Sequence, residues 1–257
     1  MARVLVTGST QGLGLMAAQR LAGDGHEVTV HARDDDRAER ALAEVRDAEG
    51  VVVGDLSSIA EIRGVAEQAN ASGRFDAVIH NAAVGYREKW MRTVDGLEHV
   101  FAVNVLAPYL LTAMMTRPDR LIYLSSAMHH DGDPTLSDPQ WLRRRWNGAQ
   151  AYSDSKLYDL VLAFGVARRW PDVLSNGVEP GWVPTRMGGS SAPDDLAQGH
   201  LTQVWLAVSD EPGALVTGAY FYHRRRRSPE PVAREPELQD ALLDYCAQLT
   251  GVGLPRT

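Results

Sequence analysis

Thr7-Gly8-Ser9-Thr10-Gln11-Gly12-Leu13-Gly14 follows a short apolar run and opens an amphipathic one. Gly8 permits a tight turn, Gly12 lets backbone approach a pyrophosphate, and Gly14 allows a helix to pack closely on a strand. The first amides of that helix, with the positive end of its dipole, then face the anion. A glycine cluster alone is weak. A strand before it and a helix after it make it a nucleotide turn.

Outward from this turn, short apolar runs alternate with longer amphipathic stretches. Strands are expected at 3–7, 27–31, 51–54, 77–80, 120–124, 173–177 and 219–222. Helices are expected at 13–23, 37–49, 59–71, 93–115, 151–168 and 194–209, with a short one near 237–249. Several strands are apolar on both faces, as in a sheet covered on each side. The pattern predicts an α/β fold, a Rossmann-like doubly wound parallel sheet of about seven strands with helices on both faces. One domain over residues 1–257 is expected, with an insertion near 128–150 that holds Arg143-Arg144-Arg145 and two tryptophans. Such long loops are often functional. Asp34-Asp35-Asp36 reads as a solvated turn favouring the next helix's N-terminus.

The chain of 257 residues carries a net charge of −7 and a single cysteine, Cys246. That cysteine excludes an intrachain disulfide and points to a reducing compartment. The start lacks the longer apolar stretch of a signal peptide, and no window reaches transmembrane length. A soluble cytoplasmic protein with no membrane partner is expected. The negative charge argues against a nucleic-acid partner. Arg224-Arg225-Arg226-Arg227 is expected to be a solvated loop after the last strand.

Tyr152 and Lys156 stand four residues apart, which on a helix puts both side chains on one face. A phenol with pKa near 10 is a poor acid or base at neutral pH. An ammonium about 4 Å away, at an effective dielectric near 20, favours phenolate by ~4 kcal/mol, or ~3 pKa units. That brings the phenol into the range of efficient general acid–base catalysis. The chain has only two lysines, Lys89 and Lys156, and otherwise uses arginine for positive charge. A site needing a compact point charge would keep a lysine. The spacing alone also fits a packed tyrosine beside a solvated lysine.

The Thr-Gly-x-x-x-Gly-x-Gly turn together with Tyr152-x-x-x-Lys156 resembles the short-chain dehydrogenase/reductase family, end to end. Asp55-Leu56 resembles the family's adenine-contacting segment, and Asn81-Ala82-Ala83 its Asn-Ala-Gly turn with alanine in place of glycine. Asn104 and Ser126 match its helix asparagine and strand-end serine; Pro180-Gly181-Trp182-Val183-Pro184-Thr185 matches the segment beside the nicotinamide. The resemblance implies cofactor contacts from Gly8, Ser9, Thr10, Gln11, Gly12, Leu13, Gly14, Arg33, Asp55, Leu56, Asn81, Ala82, Ala83, Tyr152, Lys156, Pro180, Gly181, Val183 and Thr185. It implies Tyr152 as proton donor or acceptor and Ser126, rather than Ser125, as hydrogen-bond partner of the substrate oxygen. Lys156 would bind the nicotinamide ribose and depress the tyrosine pKa, and Asn104 would hold a water linking Lys156 to solvent. Asn104 could instead cap its helix.

Two departures stand out. Gln11 occupies a place where relatives preferring the phosphorylated cofactor often carry a basic residue. The interval from Ser126 to Tyr152 is about twice the usual one, which with Gly181-Trp182-Val183 and Thr217-Gly218-Ala219-Tyr220-Phe221 resembles the retinol-dehydrogenase-like subset. At the end of the second strand Ala32 stands where an acid would hold a ribose hydroxyl, and Arg33 follows. A guanidinium there can grip a 2′-phosphate, so NADP is expected ahead of NAD, with NAD still open. Alternatively, Arg33 pairs with Asp34–Asp36 or Asp55.

The expected reaction is hydride transfer between the nicotinamide cofactor and a small-molecule alcohol or carbonyl substrate. Substrate contacts are expected from Tyr86-Arg87, the 128–150 loop with Trp141 and Trp146, and residues 182–192; the two tryptophans could equally be loop anchors. His129-His130 is not read as a metal site, because adjacent histidines do not readily share one ion. Two alternatives stay open: a cofactor-sensing binding protein without turnover, and a reductase of an activated carbon–carbon double bond. The resemblance also admits a homodimer or homotetramer, pairing through the helices at 93–115 and 151–168.

Overall fold

The computed structural model describes residues 1–255. Its strands are β1 (Arg3–Val6), β2 (Glu27–Ala32), β3 (Gly50–Val53), β4 (Ala77–His80), β5 (Arg120–Leu124), β6 (Leu174–Glu179), β7 (Tyr220–Tyr222) and β8 (Arg225–Arg227). They form one sheet in the order β3-β2-β1-β4-β5-β6-β7-β8, parallel up to β7 and antiparallel at β8. Strand order reverses between β1 and β4, so a crevice opens beyond their carboxyl ends, where such sheets bind ligands.

The helices are α1 (Gly12–Gly23), α2 (Asp35–Glu44), α3 (Ile59–Ala71), α4 (His99–Phe101), α5 (Ala107–Met114), α6 (Gly148–Arg169), α7 (Leu201–Val208) and α8 (Pro236–Thr250). Alternate strand residues feed two cores, one on each side of the sheet. Leu5, Val78, Leu121 and Tyr123 pack with α3, α5, α6 and α8, whereas Val4, Val6, Ile79 and Ile122 pack with α1 and α7. The expected doubly wound α/β fold is thus observed, with an eighth strand.

The departures have local causes. Arg224–Arg227 is not a free loop after the last strand: His223 and Arg224 take positive φ (48° and 60°) and turn the chain into a two-residue hairpin. The arginines of β8 then occupy the outer edge of the sheet, where like charges discourage further strand pairing. The helix expected over 93–115 begins only at His99. Gly96, at φ 76°, closes a turn before it, and the Glu98 carboxylate caps it by accepting from the amides of Val100 and Phe101. A π-type stretch, Ala102–Leu106, then joins α4 to α5. The helix expected over 194–209 divides into a single 3-10 turn, Leu196–Gln198, and α7.

Residues 151–167 of α6 are buried on every face. Strands β5 and β6 cover one side and α8 the other, with Leu242, Leu243 and Cys246 in the same core as Leu160 and Phe164. Tyr109 of α5 donates to the Val252 carbonyl at 2.7 Å. The faces of α5 and α6 that the sequence offered for subunit pairing are therefore covered by the chain's own C-terminal segment.

The 128–150 segment is tied down rather than open. Asp154 of α6, buried, accepts from the Asp133 amide (2.9 Å), the Gln150 side chain (2.8 Å) and the Arg144 guanidinium (2.5 Å). Asp138 collects the amides of Leu142, Arg143 and Arg144. Trp141 is buried between Trp146 and the Arg144 guanidinium, which lies 3.7 Å from its ring centre; it is an anchor of the loop. Asp154→Ala would leave the Asp133 amide without its acceptor and the half-buried Arg144 guanidinium with its longer contact to Asp133, 3.3 Å. We expect a loss of about 2–3 kcal/mol in urea denaturation, with new protease cleavage confined to this segment.

Candidate active site

A cavity of about 490 Å³ lies over the carboxyl ends of the strands. Gly8, Thr10, Gln11, Gly12, Leu13 and Gly14 line it at one end, Arg33, Asp55 and Leu56 beside them, Asn81, Ala82 and Ala83 in the middle, and Tyr152, Lys156, Pro180 and Thr185 at the other end. Ser9, Asn104, Ser126, Gly181 and Val183 are not among its lining residues. Ser9 is fully buried and structural: its hydroxyl donates to the Val6 carbonyl (2.9 Å) and accepts from the His31 amide (2.8 Å).

The glycine turn is shaped for close approach. A Cβ on Gly8 would sit 2.8 Å from Ala82 Cα, and one on Gly14 2.5 Å from the Gly8 carbonyl oxygen. A Cβ on Gly12, at φ 57°, would meet only Thr185 at 4.0 Å and would project into open space. That is the cradle a pyrophosphate needs. Behind it, His31 accepts from the Gly8 amide at Nδ1 (3.0 Å), which leaves Nε2 to donate to the Gly54 carbonyl (3.0 Å). Burial holds this imidazole neutral, with its pKa below the ordinary histidine value.

Sequence reasoning missed His31 and Arg37, both on the cavity wall. Arg37 lies in the first turn of α2 and binds the Asp34 carboxylate that caps the same helix. Arg33 keeps only a long contact to Asp34, 3.8 Å, and stays more than half exposed. Asp34 is thus engaged chiefly by Arg37, and Arg33 is the looser of the two guanidinium groups.

At the other end, Tyr152 and Lys156 are buried on one face of α6, with the ammonium 5.5 Å from the tyrosine ring centre. Lys156 Nζ donates to the Leu124 carbonyl (2.8 Å) and to Asp159 Oδ2 (2.7 Å). Burial pushes the Tyr152 phenol above its ordinary pKa; Lys156 and the Ser126 hydroxyl pull the other way, and Asp159 adds to the rise. The expected net depression by Lys156 is therefore not what the environment produces, because burial outweighs it. Burial also disfavours the lysine's own charge, but Asp159 more than restores it and holds the ammonium above the ordinary lysine range. Burial pushes Asp159 up to about 6, against the pull of Lys156.

Ser125 and Ser126 separate cleanly. The Ser125 hydroxyl donates to the Lys156 carbonyl at 2.7 Å and is spent on holding α6. The Ser126 hydroxyl accepts only a long 3.3 Å bond from the Met128 amide. Asn104, within the π-type stretch, donates to the Val84 carbonyl (3.1 Å) and Ser155 Oγ (2.9 Å) and accepts from the Val84 amide (2.8 Å). One Oδ1 lone pair is what its side chain has left for a water.

The two histidines that follow are not one site. His129 Nε2 accepts from the Glu230 amide (2.9 Å), so Nδ1 donates to the Ser126 carbonyl (2.7 Å); His130 meets the Glu230 carboxylate at 3.0 Å. Among the described residues no group of three or more His, Cys, Asp or Glu could hold a metal ion, and no helix is long and apolar enough to cross a membrane.

A cavity that joins a glycine turn to a Tyr/Lys pair across a doubly wound sheet defines a nucleotide-dependent enzyme of the Rossmann class. The family model described as short chain dehydrogenase matches residues 2–127. The chain is 39% identical over 259 residues to short-chain dehydrogenase chry4 of Gibberella zeae, covering 99% of each chain. It is 30% identical to retinol dehydrogenase 13 of Homo sapiens, covering 98% of this chain and 85% of that one. A crystal structure of an uncharacterized protein from Mycobacterium paratuberculosis superposes with a TM-score of 0.86 at 25% identity, over 99% of this chain and 95% of that one. The chain belongs to the short-chain dehydrogenase family, with retinol-dehydrogenase-like relatives. It is an oxidoreductase of that family, acting between CH–OH and C=O groups with a nicotinamide cofactor.

His129 yields a pH test. Burial lowers its pKa to about 4 from an unfolded value near 6.5. As pH falls below 6.5 the unfolded chain takes a proton that the folded chain refuses, so this histidine's contribution to stability is lost between about 6.5 and 4. We expect its imidazole ¹⁵N shifts to report a neutral ring with Nδ1 protonated at pH 5; titration near 6.5 would contradict the brace on Ser126.

Proposed function

We propose that the protein is an NADP-dependent oxidoreductase interconverting a small-molecule alcohol and its ketone or aldehyde, with Tyr152 as the acid–base group. The observation that carries this reading is the shared cavity: the glycine cradle and two guanidinium groups at one end, Tyr152 and Lys156 at the other. The cofactor, held by the Gly8–Gly14 turn, Asp55, Leu56, Asn81–Ala83 and the 180–185 segment, supplies or receives the hydride. Lys156 has one N–H left after Leu124 and Asp159, and offers it to the nicotinamide ribose. Ser126, whose hydroxyl is lightly used, orients the substrate oxygen. Tyr152 moves the proton at that oxygen. Asn104 fixes the Val84 turn against α6 and so sets the height of the cavity wall, as well as offering its free lone pair to a relay water. The name of the human relative, a retinol dehydrogenase, is consistent with alcohol and aldehyde chemistry. The lone cysteine, Cys246, is a buried thiol, in keeping with work in the cytoplasm.

Tyr152→Phe removes the proton donor and leaves the cradle intact. Turnover of any accepted carbonyl should fall by at least ~10²-fold, while NADPH affinity, read by cofactor fluorescence, changes by less than about threefold. Substantial residual turnover would refute the assignment.

The preference for NADP rests on Arg33 and Arg37 on the cavity wall and on Ala32, rather than an acid, at the end of β2. A charge-assisted bond to a phosphate is worth about 1.5–3 kcal/mol, roughly 10- to 100-fold in affinity. Arg33→Ala and Arg37→Ala should each weaken NADPH by about that factor and leave NADH nearly unchanged. Wild-type turnover that prefers NADH would overturn this part.

A further inference from the structure

Asp159 lies one turn beyond Lys156 on α6, and both side chains are 3% exposed. A carboxylate buried on the spine of the fold costs free energy unless it is paired, and among the described residues its only side-chain hydrogen-bonding partner is the Lys156 ammonium, at 2.7 Å.

 The other acceptor on that ammonium is the Leu124 carbonyl at the end of β5, 2.8 Å away. Lys156 is thus clamped between its own helix and the sheet, and its positive charge reaches Tyr152 already accompanied by a negative one.

Among the described residues, Lys156 is the cation that acts on both Tyr152 and Asp159. From α6 come Tyr152, Lys156 and Asp159; from the turn after β4 comes Tyr86, edge-on to Tyr152 with ring centres 6.1 Å apart. From β5 comes the Tyr123 hydroxyl, bonded to Thr112 of α5 at 2.8 Å. From β4 comes His80, stacked on Tyr123 at 4.8 Å and held neutral by burial, with its pKa lowered to about 3. Lys156 favours the charged form of Asp159, and Asp159 opposes Lys156 at Tyr152.

We propose that Asp159 is a positioning residue for Lys156 whose carboxylate offsets the lysine's field at Tyr152, so that Tyr152 stays a proton donor through neutral pH and the enzyme is set for carbonyl reduction. This rests on the hydride-transfer reading above. In that direction the carbonyl carbon accepts the hydride, the C=O π pair takes the Tyr152 proton, the carbonyl is reduced and the nicotinamide oxidised. The tyrosinate then regains a proton from water. Asp159 leaves the overall equilibrium unchanged; it sets the pH at which each direction finds Tyr152 in the required state. Alcohol oxidation, which needs the phenolate, is pushed to alkaline pH.

The test removes the negative charge and keeps the shape. In cofactor-free protein labelled with [¹³Cζ]tyrosine, the Tyr152 resonance is assigned among the eight tyrosines by its loss in Tyr152→Phe. In Asp159→Asn its titration should move down by about one unit or more, as expected for an opposite charge left uncompensated nearby. Asp159→Glu should restore the wild-type titration, and Asp159→Ser serves as the neutral variant if the asparagine protein does not fold. With cofactor and an accepted carbonyl, the basic limb of the reduction profile should move down by the same amount, and oxidation should rise at lower pH. A Tyr152 titration unchanged in the neutral variants overturns the proposal. A shifted Tyr152 in a protein that transfers no hydride overturns the hydride-transfer reading and the directional claim with it, which separates the two failures.

Discussion

A buried ammonium is the constraint around which the rest of the site is arranged. An isolated charge at the depth of Lys156 would cost several kcal/mol, so the fold has to bring acceptors to it. One comes from the end of β5 and one from the next turn of α6. Meeting that need fixes α6 along its axis. The Ser125 hydroxyl holds the Lys156 carbonyl, the Ser175 hydroxyl of β6 holds the Ala163 carbonyl, and Ser155 links the Tyr152 carbonyl to Asn104. With the helix pinned at these points, Tyr152 has little freedom left beyond its own rotamer. Its position follows from the lysine's.

The phosphate end is built by a different device. The Thr7 hydroxyl donates to the Ile79 carbonyl and accepts from the amides of Asn81 and Ala82, while the Asn81 side chain donates to the Thr7 carbonyl. These bonds stitch the turns after β1 and β4 together where the strand order reverses. One side-chain relay ties this region to α6: Asn104 bonds the Val84 backbone after β4 and the Ser155 hydroxyl. The sheet itself sets the distance between this knot and the Lys156 clamp, through the parallel registers Val6 with Ile79 and Ile79 with Ile122. A cofactor spanning both ends is therefore measured against backbone hydrogen bonds, the stiffest ruler the fold has.

What the sequence made legible follows from how local each signal is. The seven apolar strands, the glycine turn and the Tyr152/Lys156 spacing are contiguous patterns, and the structure places them close to where they were expected. β8 was invisible because four arginines carry no apolar alternation, and its existence depends on two residues adopting positive φ. The 93–115 helix starts later than the pattern suggests because Gly96 takes a positive φ of 76°, which no local pattern announces. The structural roles of His31 and His129 are not legible in sequence, because Gly8 and Glu230, which help to fix them, lie 23 and 101 residues away. Asp159 did leave a trace: a carboxylate between Tyr158 and Leu160, three residues after Lys156, is placed on a helix to pair with that lysine.

The C-terminal segment joins the two themes. α8 completes the core over α6, which is why that helix can be buried on every face. The strand-to-helix connection before α8 delivers the Glu230 amide to His129, and His129 in turn grips the Ser126 carbonyl. The same stretch of chain thus covers the far half of α6 and braces the serine opposite Tyr152. A change that loosened it would uncover α6 and release Ser126 together, so the precision of this site depends in large part on residues that never touch the cavity.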